Sequence, residues 1–287
     1  MSSLKHKYGK TFYLSKGRQK KDKAALICLH GGPGGRHNSF LELFEKTNDR
    51  KIVIYDQIGG GKSTPLKKTQ QKISTFLYEL DELRKHLKIE KFHLYGGSWG
   101  TTLALEYYFH CRGKGVQSIT FQGPMFSAKD WENDGKRLIK KMPKQTQKVI
   151  RYCHEIGATD SKVYQQAVFD YYLKHVLRDR KKLTAKRSPN PHGQDVYMNM
   201  WGPSEFKPTG SLRTYDKVHL LKKITTPTQI VVGEHDEATP QTAKKYAKLI
   251  KNAEFHIIKN ASHSILSEQP AKMINAVSSF VEKHDPK

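Results

Sequence analysis

Residues 91–105, KFHLYGGSWGTTLAL, constrain the fold more than any other stretch of the chain. The apolar residues 92–95 predict a strand buried on both faces, and Thr101 onward predicts a helix that begins with small residues. Between them lies Gly96-Gly97-Ser98-Trp99-Gly100, a G-x-S-x-G. A strand that turns this sharply into a helix needs glycines on either side of the serine, since a Cβ there would strike the packed strand or helix. The turn strains the serine backbone and lifts its hydroxyl to the top of the sheet. There it sits over a helix N-terminus, where developing negative charge is favoured. Ser98 is therefore a candidate nucleophile, and the rest of the chain must supply an acid and a base.

The flanking segments repeat the same strand–helix alternation. Residues 8–14 predict a short edge strand and 24–29 (AALICL) a strand covered on both faces; 51–55, 116–121, 228–232 and 254–258 predict further strands. Helices are predicted over 39–44, 73–87 and 101–111. Another runs to residue 250 behind Thr239 and Pro240, an N-cap followed by a proline at the first helical position, and a closing helix runs through Met273, Val277 and Val281. Such alternation predicts an α/β protein whose central sheet is mostly parallel, with helices on both faces. From 124 to 210 it stops. Residues 131–141, 145–155 and 162–177 predict helices, and 187–193 a loop rich in Pro, Gly and Asn. We read 1–123 and 211–287 as the core and 124–210 as a helical cap inserted at the top of the sheet.

A chain of 287 residues accommodates one large α/β domain with such an insertion. No run of about 18 apolar residues occurs, and the first residues, MSSLKHKY, lack the apolar region of a secretory signal. Cys28, Cys111 and Cys153 are widely spaced and fit neither a C-x-x-C pair nor a zinc pattern. The expectation is a cytoplasmic protein with reduced thiols. Lys and Arg number 51 against 27 Asp and Glu, a net charge of +24. The lysines are spread from Lys5 to Lys287 without an RNA-binding or zinc-finger signature, so a solvated basic surface is expected rather than a specific nucleic-acid or membrane partner. GGGKS within residues 59–63 lacks the G-x-x-x-x-G-K-[ST] spacing, because Asp56 stands at the first glycine position, and nucleotide binding is not expected.

Three further segments carry chemistry. His30-Gly-Gly-Pro-Gly-Gly35 follows a predicted strand directly, and a glycine cluster there leaves backbone N–H groups free to point at an oxyanion. A serine hydroxyl is a poor nucleophile until a base takes its proton and an acid orients that base. Residues 232–240, VGEHDEATP, offer Asp236 in the loop after a strand, with Glu234 and Glu237 as competitors for the acid. Residues 260–263, NASH, offer His263 after the last strand, which completes the order Ser, acid, His. This chemistry needs only those side chains and backbone donors, so neither a metal nor an organic cofactor is expected.

Taken together, HGGPGG at 30–35, YDQ at 55–57 with Gly59, Gly61 and Ser63, GGSWG at 96–100, WGPSEF at 201–206, GEHDE at 233–237 and the His263 loop resemble the proline iminopeptidase family of α/β-hydrolases. The resemblance runs over about residues 24–280 and is nearest to the branch of the tricorn-interacting aminopeptidases. It implies an α/β-hydrolase fold with a helical cap and a triad of Ser98, Asp236 and His263. It implies an oxyanion hole made by the N–H groups of Gly32 and Trp99. By the same resemblance Glu205 and Glu237 bind the substrate's α-amino group, and Tyr197 matches a substrate-site tyrosine. The implied activity is a serine aminopeptidase that releases an N-terminal residue, preferably proline, from short peptides through an acyl-enzyme on Ser98. Many members carry Arg after the Asp-Gln; here Ile58 stands there, as in the branch of broader specificity. The same triad would also serve an amidase, esterase or lactonase acting on amino-acid amides or small esters, since no motif reports the leaving group. A reading from another class, a non-catalytic basic binding protein on this scaffold, requires a broken triad. Ser98 at the elbow disfavours haloalkane dehalogenase chemistry, which needs Asp there.

Overall fold

The computed structural model describes residues 2–186 and 190–287. Its strands are β1 (Ser2–His6), β2 (Gly9–Lys16), β3 (Ala25–Leu29), β4 (Ile52–Tyr55), β5 (Phe92–Gly97), β6 (Val116–Gln122), β7 (Thr228–Gly233) and β8 (Glu254–Ile258). The helices are α1 (Leu41–Lys46), α2 (Ile73–His86), α3 (Trp99–His110), α4 (Ala128–Ile139), α5 (Lys144–Glu155), α6 (Lys162–His175), α7 (Arg180–Lys186), α8 (Pro191–Met200), α9 (Pro240–Leu249), α10 (Ile265–Glu268) and α11 (Pro270–Lys283).

The eight strands form one sheet in the order β1-β2-β4-β3-β5-β6-β7-β8. β1 and β2 form a hairpin, and β2 runs antiparallel to β4. Every pairing from β4 to β8 is parallel. This is the mostly parallel, doubly covered sheet that the alternating pattern predicts. The segment expected at the edge, residues 8–14, belongs to β2 and lies inside the sheet, because β1 pairs along its outer side. β1 is five residues long with Ser, Lys and His on it, too short and polar for an alternating apolar pattern to stand out.

Alternation along the buried strands divides the core in two. Ala25, Ile27 and Leu29 of β3 enter the layer filled by Phe76 and Leu80 of α2, Leu103 of α3 and Tyr246 of α9. Leu26 and Cys28 enter the opposite layer, under Leu43 of α1, Ile265 of α10 and Met273 and Val277 of α11. Burying each large aliphatic side chain contributes about 1.5–3 kcal/mol, so a strand apolar on both faces is stable only at this depth. α9 begins as expected: the Thr239 side chain accepts from the Thr242 N–H and Pro240 occupies the first turn, a cap worth about 1 kcal/mol.

Between β6 and β7 come α4 to α8. Leu138, Ile150, Cys153, Tyr164, Val168 and Tyr171 build a core of their own there, separate from the two sheet layers. Ser127 and Ser161 cap α4 and α6, accepting from the N–H groups of Asp130 and Tyr164. Of the loop expected over 187–193, residues 187–189 lie outside the described residues, and Pro191 to Gly193 form the first turn of α8. Pro191 stands near the helix start, where its fixed φ and missing N–H suit the turn; the neighbouring Gly and Asn hid that signal. The short α7 and α10 lie outside the predicted helices as well. No helix among the described residues is long and apolar enough to cross a membrane.

Candidate active site

Ser98 sits between β5 and α3 with φ 55° and ψ −124°, a conformation that costs an L-residue about 1–3 kcal/mol and persists only where the surroundings enforce it. They do so here. The Ser98 N–H donates to the Gln122 carbonyl at the end of β6 (2.8 Å), and α3 packs so closely on β3 that a Cβ on Gly100 would lie 1.9 Å from the Leu29 carbonyl oxygen. The first N–H groups of α3, that of Trp99 among them, have no acceptor within the helix. Since β3 pairs directly with β5, the 30–35 loop leaves the sheet beside the elbow. A Cβ added to Gly31 would meet that of Ser98 at 3.0 Å. Gly32 follows with φ +87°.

Asp236 and His263 arrive on the loops after β7 and β8. The Asp236 carboxylate accepts from His263 Nδ1 at 2.7 Å and from the N–H groups of Ala238 (2.9 Å) and Gly233 (3.3 Å). The carboxylate is thus fixed, and an acceptor at Nδ1 leaves Nε2 as the basic nitrogen of the neutral ring. His263 lies over the ends of β5 and β6: its carbonyl accepts from Gln122 Nε2 (2.8 Å), and a Cβ on Gly123 would touch its ring. Glu234, one of the competing acids, is exposed and accepts from the Asn260 N–H (3.0 Å). Glu237, the other, is 2 % exposed, with Oε1 3.9 Å from His263 Nε2.

A narrow cleft opens over the serine, lined by Gly32, Ser98, Trp99, Trp131, Tyr197 and Glu205 among others. The Trp131 ring stands edge-on to the His263 imidazole, centroids 5.6 Å apart, so one indole borders both serine and histidine. The Glu205 carbonyl accepts from the indole N–H groups of Trp131 (2.9 Å) and Trp201 (3.1 Å). Its carboxylate accepts from the hydroxyls of Tyr197 (2.5 Å) and Tyr172 (3.3 Å). The Tyr197 phenol is held well above its usual range, by burial first and then by the Glu205 carboxylate, with a contribution from Glu237. It therefore stays protonated and donates. Gly32, Ser98, Trp99, Tyr197 and Glu205 line this cleft; Asp236 and His263 pair next to it, with the His263 ring against Trp131 and Glu237 beside the imidazole, whereas Glu234 stays at the surface.

Sequence reasoning missed Met125 and Trp131, which line the cleft; Trp131 was legible only as the start of a helix. It also missed how α6 ends. The carbonyls of His175 and Val176 accept from the backbone N–H groups of His263 (3.1 Å) and Ser264 (2.8 Å). His175 Nδ1 lies 3.0 Å from the His235 carbonyl, beside Asp236. A larger hollow, lined by Thr228, Lys251, Glu254 and His284, opens at the opposite ends of the strands, away from Ser98; there Glu254 is bound to Lys283 at 2.7 Å. Among the described residues no group of His, Cys, Asp and Glu is arranged to hold a metal ion.

Residues 24–270 match the family described as alpha/beta hydrolase fold. The proline iminopeptidase of Heyndrickxia coagulans is 37% identical over 260 residues, covering 89% of this chain and 90% of that one. In solved structures, VinJ superposes with a TM-score of 0.90 at 28% identity over 99% of this chain and 98% of its own. The proline iminopeptidase of Mycobacterium smegmatis does so with 0.86 at 27% identity, over the same shares. With the sheet, the strained serine and the likeness all running the length of the molecule, the chain belongs to the proline iminopeptidase family of α/β-hydrolases.

Proposed function

We propose that this chain is a serine aminopeptidase that removes an N-terminal residue, preferably proline, from short peptides. Ser98 attacks the scissile carbonyl, His263 takes its proton and returns it to the leaving amine, and Asp236 holds the imidazole and stabilises its charged form. The N–H groups of Gly32 and Trp99 receive the oxyanion. Attack forms an acyl-enzyme on Ser98, which water then hydrolyses.

The observation that carries the reading is Glu205: an acidic side chain held by two tyrosine hydroxyls at the wall of the cleft that contains Ser98. A carboxylate there suits an ammonium one residue from the scissile bond, through charge-assisted hydrogen bonds, and Glu237 on the acid loop supplies a second. Helices of segment 124–210 form the cap over the core built from 1–123 and 211–287. The cap bars chain upstream of the first residue, which makes the enzyme an exopeptidase. Three free thiols, two of them buried, suit a reducing cytoplasm.

Pro-, Leu- and Ala-anilides, each with a free and an acetylated amine, test this side by side. Turnover of the free-amine forms, fastest for proline, is expected. Efficient cleavage of the acetylated forms would favour the esterase or amidase alternative instead.

A further inference from the structure

We propose that Gln57 is a positioning residue that fixes the two halves of the oxyanion hole relative to one another. The proposal rests on the reading above, in which Gly32 and Trp99 donate to the oxyanion. Those donors come from different loops, one after β3 and one after β5, and catalysis depends on their mutual placement.

Gln57 is wholly buried behind them. Its side-chain amide N–H donates to the His30 carbonyl (3.1 Å), at the root of the 30–35 loop. Its Oε1 accepts from the indole N–H of Trp99 (2.8 Å), the first residue of α3. An indole can only donate and a carbonyl can only accept, so the amide fits in one orientation, as a donor towards His30 and an acceptor towards Trp99. The backbone adds a third tie: the Gln57 N–H donates to His30 Nε2 (2.9 Å). His30 must then carry its proton on Nδ1, which lies 2.9 Å from the Gly31 carbonyl. Burial pushes the His30 imidazole below its usual range, which keeps it neutral and preserves this arrangement.

Gln57 is itself anchored on both sides. The Asp56 carboxylate accepts from the N–H groups of His37 (2.7 Å) and Lys62 (2.8 Å), and Glu79 accepts from the N–H of Ile58 (2.7 Å). The glycines of GGGKS pack under the 30–35 loop: a Cβ on Gly60 would lie 2.7 Å from the Gly35 carbonyl oxygen. The segment that superficially suggests a phosphate loop is thus the backing plate of the 30–35 loop.

The test uses the full-length enzyme, Gln57→Leu and Gln57→Met, neither of which can hydrogen-bond His30 and Trp99 as the amide does, with Trp99→Phe, which breaks the same bond from its other end while keeping the Trp99 backbone N–H. Read-outs are kcat and KM on proline anilide and inhibition constants for prolyl boronate, which becomes a tetrahedral anion on a serine, and for pyrrolidine, which keeps the ring ammonium and has neither carbonyl nor carboxylate. Losing an oxyanion donor outright costs on the order of 10² to 10³ in kcat, so loosening one should cost about 10- to 100-fold. We expect that loss with KM within about threefold, a matching rise in the boronate constant, an unchanged pyrrolidine constant, and a Gln57→Met/Trp99→Phe double variant no worse than the poorer single one. Variants that melt earlier but keep kcat and the boronate constant within about twofold would reduce Gln57 to a structural role and overturn the proposal. So would boronate and pyrrolidine constants that rise together. If neither Gln57 variant folds, the same outcomes are read from Trp99→Phe alone. A Ser98→Ala control that still cleaves the anilide would indict the reading of the site instead, and not the function of Gln57.

Discussion

Glu79 lies in the core beneath the 56–63 segment, and its titration predicts how the stability of the fold depends on pH. The side chain is wholly buried, and Oε1 accepts from the Thr11 hydroxyl and the Ile58 N–H. Oε2 meets no hydrogen-bonding partner among the described residues. Burial raises its pKa from 4.5 to about 8, against the lowering effect of the two hydrogen bonds. Between those values the folded chain keeps a proton that the unfolded chain has released, so stability falls as pH rises. Below the lower value both states are protonated, and above the upper one both are ionised. From pH 5 to pH 9 the loss comes to about 4 kcal/mol, a large fraction of the 5–15 kcal/mol typical of a domain. Glu79→Gln keeps an acceptor for Ile58 and Thr11 and cannot ionise. Urea unfolding of parent and variant, extrapolated to water at each pH, should therefore show the variant gaining about 4 kcal/mol on the parent across that range, most of it between pH 5 and pH 8. A difference between the two that stays flat within about 1 kcal/mol would show that Glu79 is ionised throughout and would refute the argument.

Ser98→Ala should fold normally and lose on the order of 10⁴- to 10⁶-fold in kcat; circular dichroism with an anilide assay checks both, and a rate within tenfold of the parent would point to another nucleophile. Asp236→Asn should lose on the order of 10⁴-fold, whereas Glu234→Gln, an exposed carboxylate that accepts from Asn260, should stay near the parent; the reverse order would move the acid. Glu205→Gln should lower kcat/KM on free-amine anilides roughly 10- to 150-fold, since a hydrogen bond to a charged group is worth about 1.5–3 kcal/mol. A small ester without an amine should lose far less, and equal losses on both substrates would sink the ammonium-binding role.

The parallel strands were legible because burial on both faces leaves continuous apolar runs, as in AALICL before His30, and because glycine and proline mark where each run ends. The turns at Gly96 to Gly100 and at Thr239 to Pro240 were legible for a related reason: each imposes a backbone geometry that few residues tolerate. What stayed hidden depends on partners distant in sequence. β1 is a strand only because β2 lies beside it. α8 begins at Pro191 where the glycines of two segments meet, Gly193 against Gly34. Gln57 was visible as part of a motif, yet its partners, His30 and Trp99, lie 27 and 42 positions away. Trp131 borders the cleft through helix packing that no local spacing encodes.

The way α6 ends has a consequence for engineering. The two carbonyls that receive the His263 and Ser264 N–H groups belong to the inserted segment, not to the sheet, and His175 reaches the acid loop as well. The proposed general base is therefore tethered to the segment that supplies Trp131, Tyr197 and Glu205 to the cleft. On the proposed mechanism, a chimera that exchanges residues 124–210 for those of a relative should alter proton transfer together with selectivity, unless the junction at 175–176 is carried over intact. On this geometry the insertion is not an interchangeable cassette: a change of selectivity that spares the base is a substitution on the inner walls of the insertion, with its anchoring strap left in place.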